Sequence, residues 1–178
     1  SCHYNPLAEI KGMTVMERRQ FLEQMAEVIV EEDKENKYWH ETARALFTGI
    51  ALYCIDWNVN VTLPQISKEI LKGNAIDWVV KIKNGDCEDA QDYTNGLYGS
   101  NEKNLSGAYA TLASAVRSFA SGSLAELLSD SEEMISPQTL YSGYDIYIEI
   151  PQDKISVYAP GSSILLNAFL FSFMRRED

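Results

Sequence analysis

The sequence predicts a mainly α chain, a multi-helix all-α domain of about six helices with a short flanking α/β piece. Three observations carry that reading. Apolar residues recur at helical spacing through most of residues 15–121. Two of those stretches open on a threonine followed three residues later by Glu or Gln, Thr14 with Glu17 and Thr62 with Gln65, the pattern of a capping box. Only one segment, 144–150, alternates with period two.

The elements follow in order. Asn5-Pro6-Leu7 reads as an extended lead-in, because proline pushes the residue before it out of the helical region. Helix one is expected over about 15–31, with Phe21, Met25, Val28 and Ile29 on one face, and it ends in the polar run 31–37. Helix two, 38–56, is apolar almost all round, from Trp39 through Leu46, Phe47 and Ile50 to Cys54, and so is expected at the centre. Arg44 lies within that stripe, where an arginine pairs with a carboxylate or caps another helix end. Helices three (63–72) and four (75–83) stop at Gly73 and near Asn84-Gly85. Asp86 is placed to cap helix five, about 87–97.

Helix six, about 102–121, starts at Ser100 or Asn101 and buries Leu105, Tyr109, Leu112, Ala113, Val116 and Phe119. Gly107, Ala108, Ala110, Ala113 and Ala115 make it small-sided, so a neighbour can approach closely. A polar linker at 129–133 and a short turn at 137–140 lead to the alternating segment Tyr144-Asp145-Ile146-Tyr147-Ile148-Glu149-Ile150, read as a strand ending at Pro151. A last helix is expected over about 162–175, too short to span a bilayer and better suited to lie beside a sheet, with Arg175 and Arg176 at its C-terminal dipole end. A single strand cannot satisfy its own backbone. Either the extended start pairs with it, or its partners lie outside these residues, as for a helical domain inserted into an α/β domain.

Composition narrows the function. With 178 residues, 46% hydrophobic and 23% charged, the chain is globular and large enough to bury roughly 70% of its unfolded surface. The net charge is −11, with 15 basic against 26 acidic residues, the reverse of what phosphate contacts require. The excess sits in the second half, and within 86–102 Asp86, Glu88, Asp89, Asp92 and Glu102 stand without a base. Such a run is either a solvated helix face or a docking patch for a basic segment.

Cys2, Cys54 and Cys87, widely spaced and odd in number, read as free thiols in a reducing compartment rather than a disulfide framework or zinc site. No signal peptide and no apolar run of 18 residues is evident. No phosphate-binding GxxxxGK[ST] loop, GxGxxG, GxSxG, HExxH or calcium loop occurs. His40, alone on helix two, reads as a packing or capping residue. A ligand pocket around His40, Arg44 or Tyr98 is the form a small-molecule function would take. The residues themselves thus suggest no independent catalysis, no cofactor and no metal site.

Three stretches, taken together, resemble the type IV secretion coupling ATPases, the TraG/TraD-type conjugation coupling proteins. Tyr4-Asn5-Pro6-Leu7-Ala8-Glu9-Ile10 is similar to the asparagine-proline-leucine segment leading into that family's inserted helical domain. Residues 38–50, with Trp39 ahead of Ala43-Arg44 and Leu46-Phe47-Thr48-Gly49, resemble its helix opened by an aromatic and carrying Ala-Arg. Residues 106–129 and then 144–151 look like its long helix, the stop after Phe119, and its strand ending in Ile-Pro; Pro160 and the apolar run after it fit the family's next helix. The order is right and nearly the whole chain is covered, although about 55–100 aligns with no family motif.

The resemblance implies a parent that is a hexameric ATPase anchored at the cytoplasmic face of the bacterial inner membrane. ATP and Mg would be bound by its RecA-like motor domain, and its all-α domain would receive cargo. The family's glycine-lysine loop, acidic metal-binding strand and membrane helices have no counterpart among these residues. The chain is therefore expected to be a soluble fragment: 1–13 and 131–178 as flanks of the motor domain, and 14–130 as the all-α domain. Its partners would be secretion substrates or adaptors with basic segments, or relaxosome proteins, met at Asp86, Glu88, Asp89 and Asp92. The acidic balance argues against an alternative the family allows, direct DNA contact; the other alternative, a stand-alone helical adaptor with no motor link, would have no need of the unpaired strand and helix at the end.

Overall fold

A computed structural model describes residues 2–175. Among them the chain is mainly helical, with nine α-helices and no strand. These are α1 (Val15–Ile29), α2 (Lys37–Trp57), α3 (Leu63–Lys72), α4 (Ala75–Lys83), α5 (Glu88–Thr94), α6 (Glu102–Ala120), α7 (Ser123–Leu127), α8 (Pro137–Tyr141) and α9 (Ile155–Met174).

Local chemistry accounts for most of the boundaries. Both capping boxes form: the Glu17 N–H donates to Thr14 Oγ1 at 3.3 Å and the Thr14 N–H to Glu17 Oε2 at 2.7 Å, and Gln65 and Thr62 repeat the exchange at 3.4 and 2.9 Å. Asn101 caps α6 by accepting from the Lys103 and Asn104 N–H groups. Cys87, not Asp86, occupies the N-cap of α5, so that helix starts one residue later than expected, and it passes into a 3-10 turn at Asn95–Leu97.

Helix α2 is the centre. Every residue from Leu46 to Tyr53 is buried, eight successive positions that take in more than two full turns and leave no open side. Its neighbours are α1, α5 and α6, with α3 and α4 completing the surround. Gly49 sits where α5 crosses: a Cβ there would stand 2.8 Å from Thr94 Cγ2 and 3.2 Å from the Ala90 carbonyl oxygen. Arg44 does cap another helix, its Nε donating to the Val30 carbonyl at the end of α1 at 2.8 Å. The Tyr109 hydroxyl of α6 donates to the Ile70 carbonyl, holding the last turn of α3 at 2.5 Å. Trp39 departs from the expected central stripe. It is 40% exposed, lying across Gly107 at the N-terminal end of α2.

The opening segment joins the same core, with Tyr4, Leu7, Ile10 and Met13 buried. Asn5 ties it down: its side-chain nitrogen donates to Asp130 Oδ1 at 2.8 Å, and its oxygen accepts from the Leu7 N–H. His3 makes one isolated parallel bridge to Met134.

That bridge bears on the expected α/β remnant, which is not formed. Residues 144–150 hold no strand among the described residues, because the extended start pairs with 133–135 instead and leaves no ladder partner. The last helix is longer than expected. Pro160 falls in its second turn and removes one backbone bond without ending it, so α9 runs for 20 residues with no charged side chain between Lys154 and Arg175. The stretch Gln152–Met174 is long and apolar enough, by length and composition, to cross a membrane. One side of it docks, through Phe171 on Phe21, Phe169 on Tyr4 and Gly161 on Leu124. Leu166, Leu170 and Met174 on the other side are exposed. Arg176 lies outside the described residues.

Two substitutions test the central position of α2. Phe47→Ala, at a fully buried site, is expected to cost about 3–5 kcal/mol in urea unfolding, whereas Trp39→Ala falls clearly below that range. Gly49→Ala should destabilise although alanine is the better helix former, since either α5 or the new methyl must move.

Candidate functional site

The acidic segment sits at the start of α5, and two forces act on it. Glu88 and Asp89 occupy the first helical turn, where carboxylates are favoured by the unpaired N–H groups of the helix start. Ala90 and Thr94, on the opposite face, are buried. The four candidate residues are thereby held at the surface, with Asp86, Glu88 and Asp92 exposed and Asp89 half-buried.

They do not act as one patch. Arg19 of α1 lies 2.9 Å from Asp92 Oδ2 and 3.5 Å from Asp89 Oδ1. Its guanidinium also stands 5.1 Å from the centroid of the Tyr93 ring, and the Tyr93 hydroxyl donates to Glu23. Burial first, and then that bond to Glu23, raises the Tyr93 phenol. The single Arg19 charge therefore offsets only one of the two carboxylates, Asp89 and Asp92. Asp86 and Glu88 form no ion pair among the described residues and remain in full for a basic partner. Exposed pairs such as Arg19–Asp92 contribute little stability. Their effect here is to shrink the acidic field.

A second acidic face borders a cavity of about 500 Å3 between α1 and the end of α9, lined by Glu17, Gln20, Glu23, Gln24 and Glu27 on one side and by Phe171, Met174 and Arg175 on the other. Arg175 closes one end. Its Nε donates to Glu17 Oε1 at 2.8 Å and its terminal nitrogen to the Gly12 carbonyl at 2.8 Å, joining α9 to the start of α1. The Arg175 hydrogen bond, and after it the Thr14 N–H, hold the Glu17 carboxyl down at about 2.

The residues around which a small-molecule pocket was expected do not converge. Arg44 is engaged by Val30. Tyr98 carries the Lys83 ammonium 3.1 Å from its ring centroid. His40 lines a surface groove that neither of them enters, its Nδ1 2.6 Å from the Glu31 carbonyl oxygen and its Nε2 3.8 Å from Asp33. No group of three or more His, Cys, Asp or Glu side chains suited to a metal ion occurs among the described residues. Burial pushes the Cys54 thiol up to about 12 and raises that of Cys87, which disfavours the reactive thiolate at both.

Sequence reasoning singled out Asp86, Glu88, Asp89 and Asp92 but missed the two residues across from α5, Arg19 at Asp89 and Asp92 and Glu23 at Tyr93. Arg19 and Glu23 lie about seventy residues earlier, and nothing in their local sequence marks them as facing α5. The chain matches no family model, no curated protein and no solved structure.

The Glu17–Arg175 clamp gives a pH signature. A carboxyl held below its ordinary value stabilises the fold fully above that value, and the contribution fades as the pH falls from there toward about 2. Urea midpoints measured between about pH 6 and about pH 2 should therefore show the Glu17→Gln variant losing less stability than the parent over the acid limb.

Proposed function

We propose that this chain is the cargo-recognition part of a type IV secretion coupling ATPase: an all-α domain with flanking pieces of its RecA-like motor. It recruits secretion substrates or their adaptors by protein contacts, while ATP and Mg belong to the remainder of the motor. The observation that carries the reading is the unit 144–174. It has the sequence of a strand and its following helix, yet residues 145–150 make no backbone hydrogen bond among the described residues, and α9 leaves Leu166, Leu170 and Met174 exposed. A strand and helix of that kind are completed by a neighbouring sheet, which a motor domain around an inserted helical domain would supply. The ordered motifs at Tyr4–Ile10, at 38–50 and at 106–151 agree with it.

For cargo, the unpaired Asp86 and Glu88 favour basic segments, with Asp89 and Asp92 as a reserve tied to Arg19. Attraction of this kind quickens encounter and fades with salt. It also disfavours nucleic acid, whose phosphates would meet carboxylates.

Anisotropy titration of a fluorescein-labelled Lys/Arg-rich tail peptide, alongside a labelled DNA duplex, checks this. Peptide binding should weaken between about 50 and about 300 mM salt and fall a few-fold in an Asp86→Asn, Glu88→Gln variant, with the duplex unbound. Tight duplex binding at physiological salt would replace this reading with direct DNA contact. Absent or salt-insensitive peptide binding would remove the acidic recruitment surface.

A further inference from the structure

Beyond the Trp39 ring that lies across Gly107, one surface of α6 takes no part in the core packing. Helix α6 turns a face toward solvent on which Gly107, Ala110, Thr111 and Ser114 follow at i, i+3, i+4 and i+7, the spacing of a single stripe. No charged side chain occurs from Asn104 to Val116, over three turns, whereas a helix facing water ordinarily carries charges on its outer side. Even the polar group at Thr111 is turned inward, its hydroxyl donating to the Gly107 carbonyl at 3.2 Å. The stripe floors a groove of about 600 Å3. Trp39 forms one wall, its indole 3.1 Å from where a Gly107 Cβ would stand, so that glycine is what lets the ring lie flat against α6. The end of α1, at Ile29, Val30 and Glu31, forms the other.

The rim is acidic. Glu31 lines the groove, and Glu32, Asp33 and Glu35 follow it in the connection against Lys34 alone, with Asp33 accepting from the Glu35 N–H and the Asn36 side chain. Lys37 is paired with Glu41 at 3.5 Å. Arg44 is engaged by the Val30 carbonyl, and His40, which lines the groove, has its Nδ1 against the Glu31 carbonyl.

We propose that this groove is the seat of a basic amphipathic helix from a protein partner. The inference rests on the recruitment reading above and names where the partner binds. A floor of small side chains admits a helix ridge at close interaxial distance. Trp39 supplies a half-exposed aromatic for the partner's apolar anchor. The carboxylates of residues 31–35 meet the Lys and Arg side chains flanking that anchor. A second copy of this chain fits poorly, because it would bring the same acidic rim and a net charge of −11. Nucleic acid and anionic lipid meet the same repulsion.

The test uses the full chain, labelled with 15N, and a synthetic amphipathic helix of about 18 residues with a Leu/Ala face and a Lys/Arg face; its isomer with Glu in place of Lys/Arg is the control. The expected result is a saturable shift of the Gly107, Ala110 and Ser114 amides and of the Trp39 indole N–H with the basic peptide only. An Ala110→Gln, Ser114→Gln variant keeps the fold, since both sites are exposed and Gln is a good helix former, and should bind about tenfold more weakly. The Asp86→Asn, Glu88→Gln variant should bind this peptide as the parent does. Equal binding of the acidic control, insensitivity to the groove substitutions, or concentration-dependent dimerisation through the same amides would overturn the groove. Basic-peptide shifts confined to α5 would overturn it too while leaving recruitment standing; no binding of any basic peptide would remove both.

Discussion

The burial of α2 on every side is the constraint from which the rest of this structure follows. A helix whose residues 46–53 are all buried cannot lie on a two-layer surface; it must be surrounded, and α1, α5 and α6, with α3 and α4, are the helices that surround it. Gly49 lets α5 cross at backbone distance, and that crossing fixes which face of α5 turns outward with Asp86, Glu88, Asp89 and Asp92. Arg44 leaves the same helix to hold the end of α1, and thereby anchors the acidic connection beyond Val30. Both acidic surfaces are thus mounted on one rigid element, although neither contributes to its core.

The charge count overstates the field these surfaces project. In the first turn of α5, Glu88 and Asp89 have a local reason to be acidic, since they complement the helix start. Arg19 then offsets one of Asp89 and Asp92 from across the α1–α5 boundary, and the Tyr93–Glu23 bond occupies a further carboxylate. What remains is several smaller foci, among them Asp86 with Glu88, the connection 31–35 and the α1 side of the cavity against α9, in place of one broad acidic face. At ordinary ionic strength charges more than about 8 Å apart are screened from one another, so each focus acts on its own surroundings. The connection 31–35 borders the groove on α6.

The parts of the fold that were legible in the sequence are those decided within one or two turns. Thr14 with Glu17, Thr62 with Gln65, and Asn101 announce their helices because a cap is a local hydrogen bond. Helical spacing identified α2 and α6 because their partners select a periodic face. Features decided across the chain were not legible. Trp39 fits the apolar rhythm of α2 but lies in its first turn, where it covers Gly107 of α6 on one side and meets solvent on the other. Arg19 has no neighbour in sequence to mark it as the counter-ion of Asp92. Pro160 read as a boundary, yet it sits early enough in α9 for the helix to run through it, which extended an expected buried helix into one of membrane-crossing length.

The segment 144–150 separates what a sequence pattern encodes from what a chain can form alone. Alternation of Tyr144, Ile146, Ile148 and Ile150 with Asp145, Tyr147 and Glu149 suits a pleated surface, but a strand is defined by its hydrogen-bonding neighbours. The extended segment at His3 is already bridged to Met134 by bonds on both sides. Tyr147 is consequently left 83% exposed, and the outer face of α9 lies open beside it in the chain. The two exposures have one cause. An α/β layer needs the sheet before the helix has anything to cover; here α9 forms and the sheet does not, which leaves Tyr147 and the outer face of α9 exposed together.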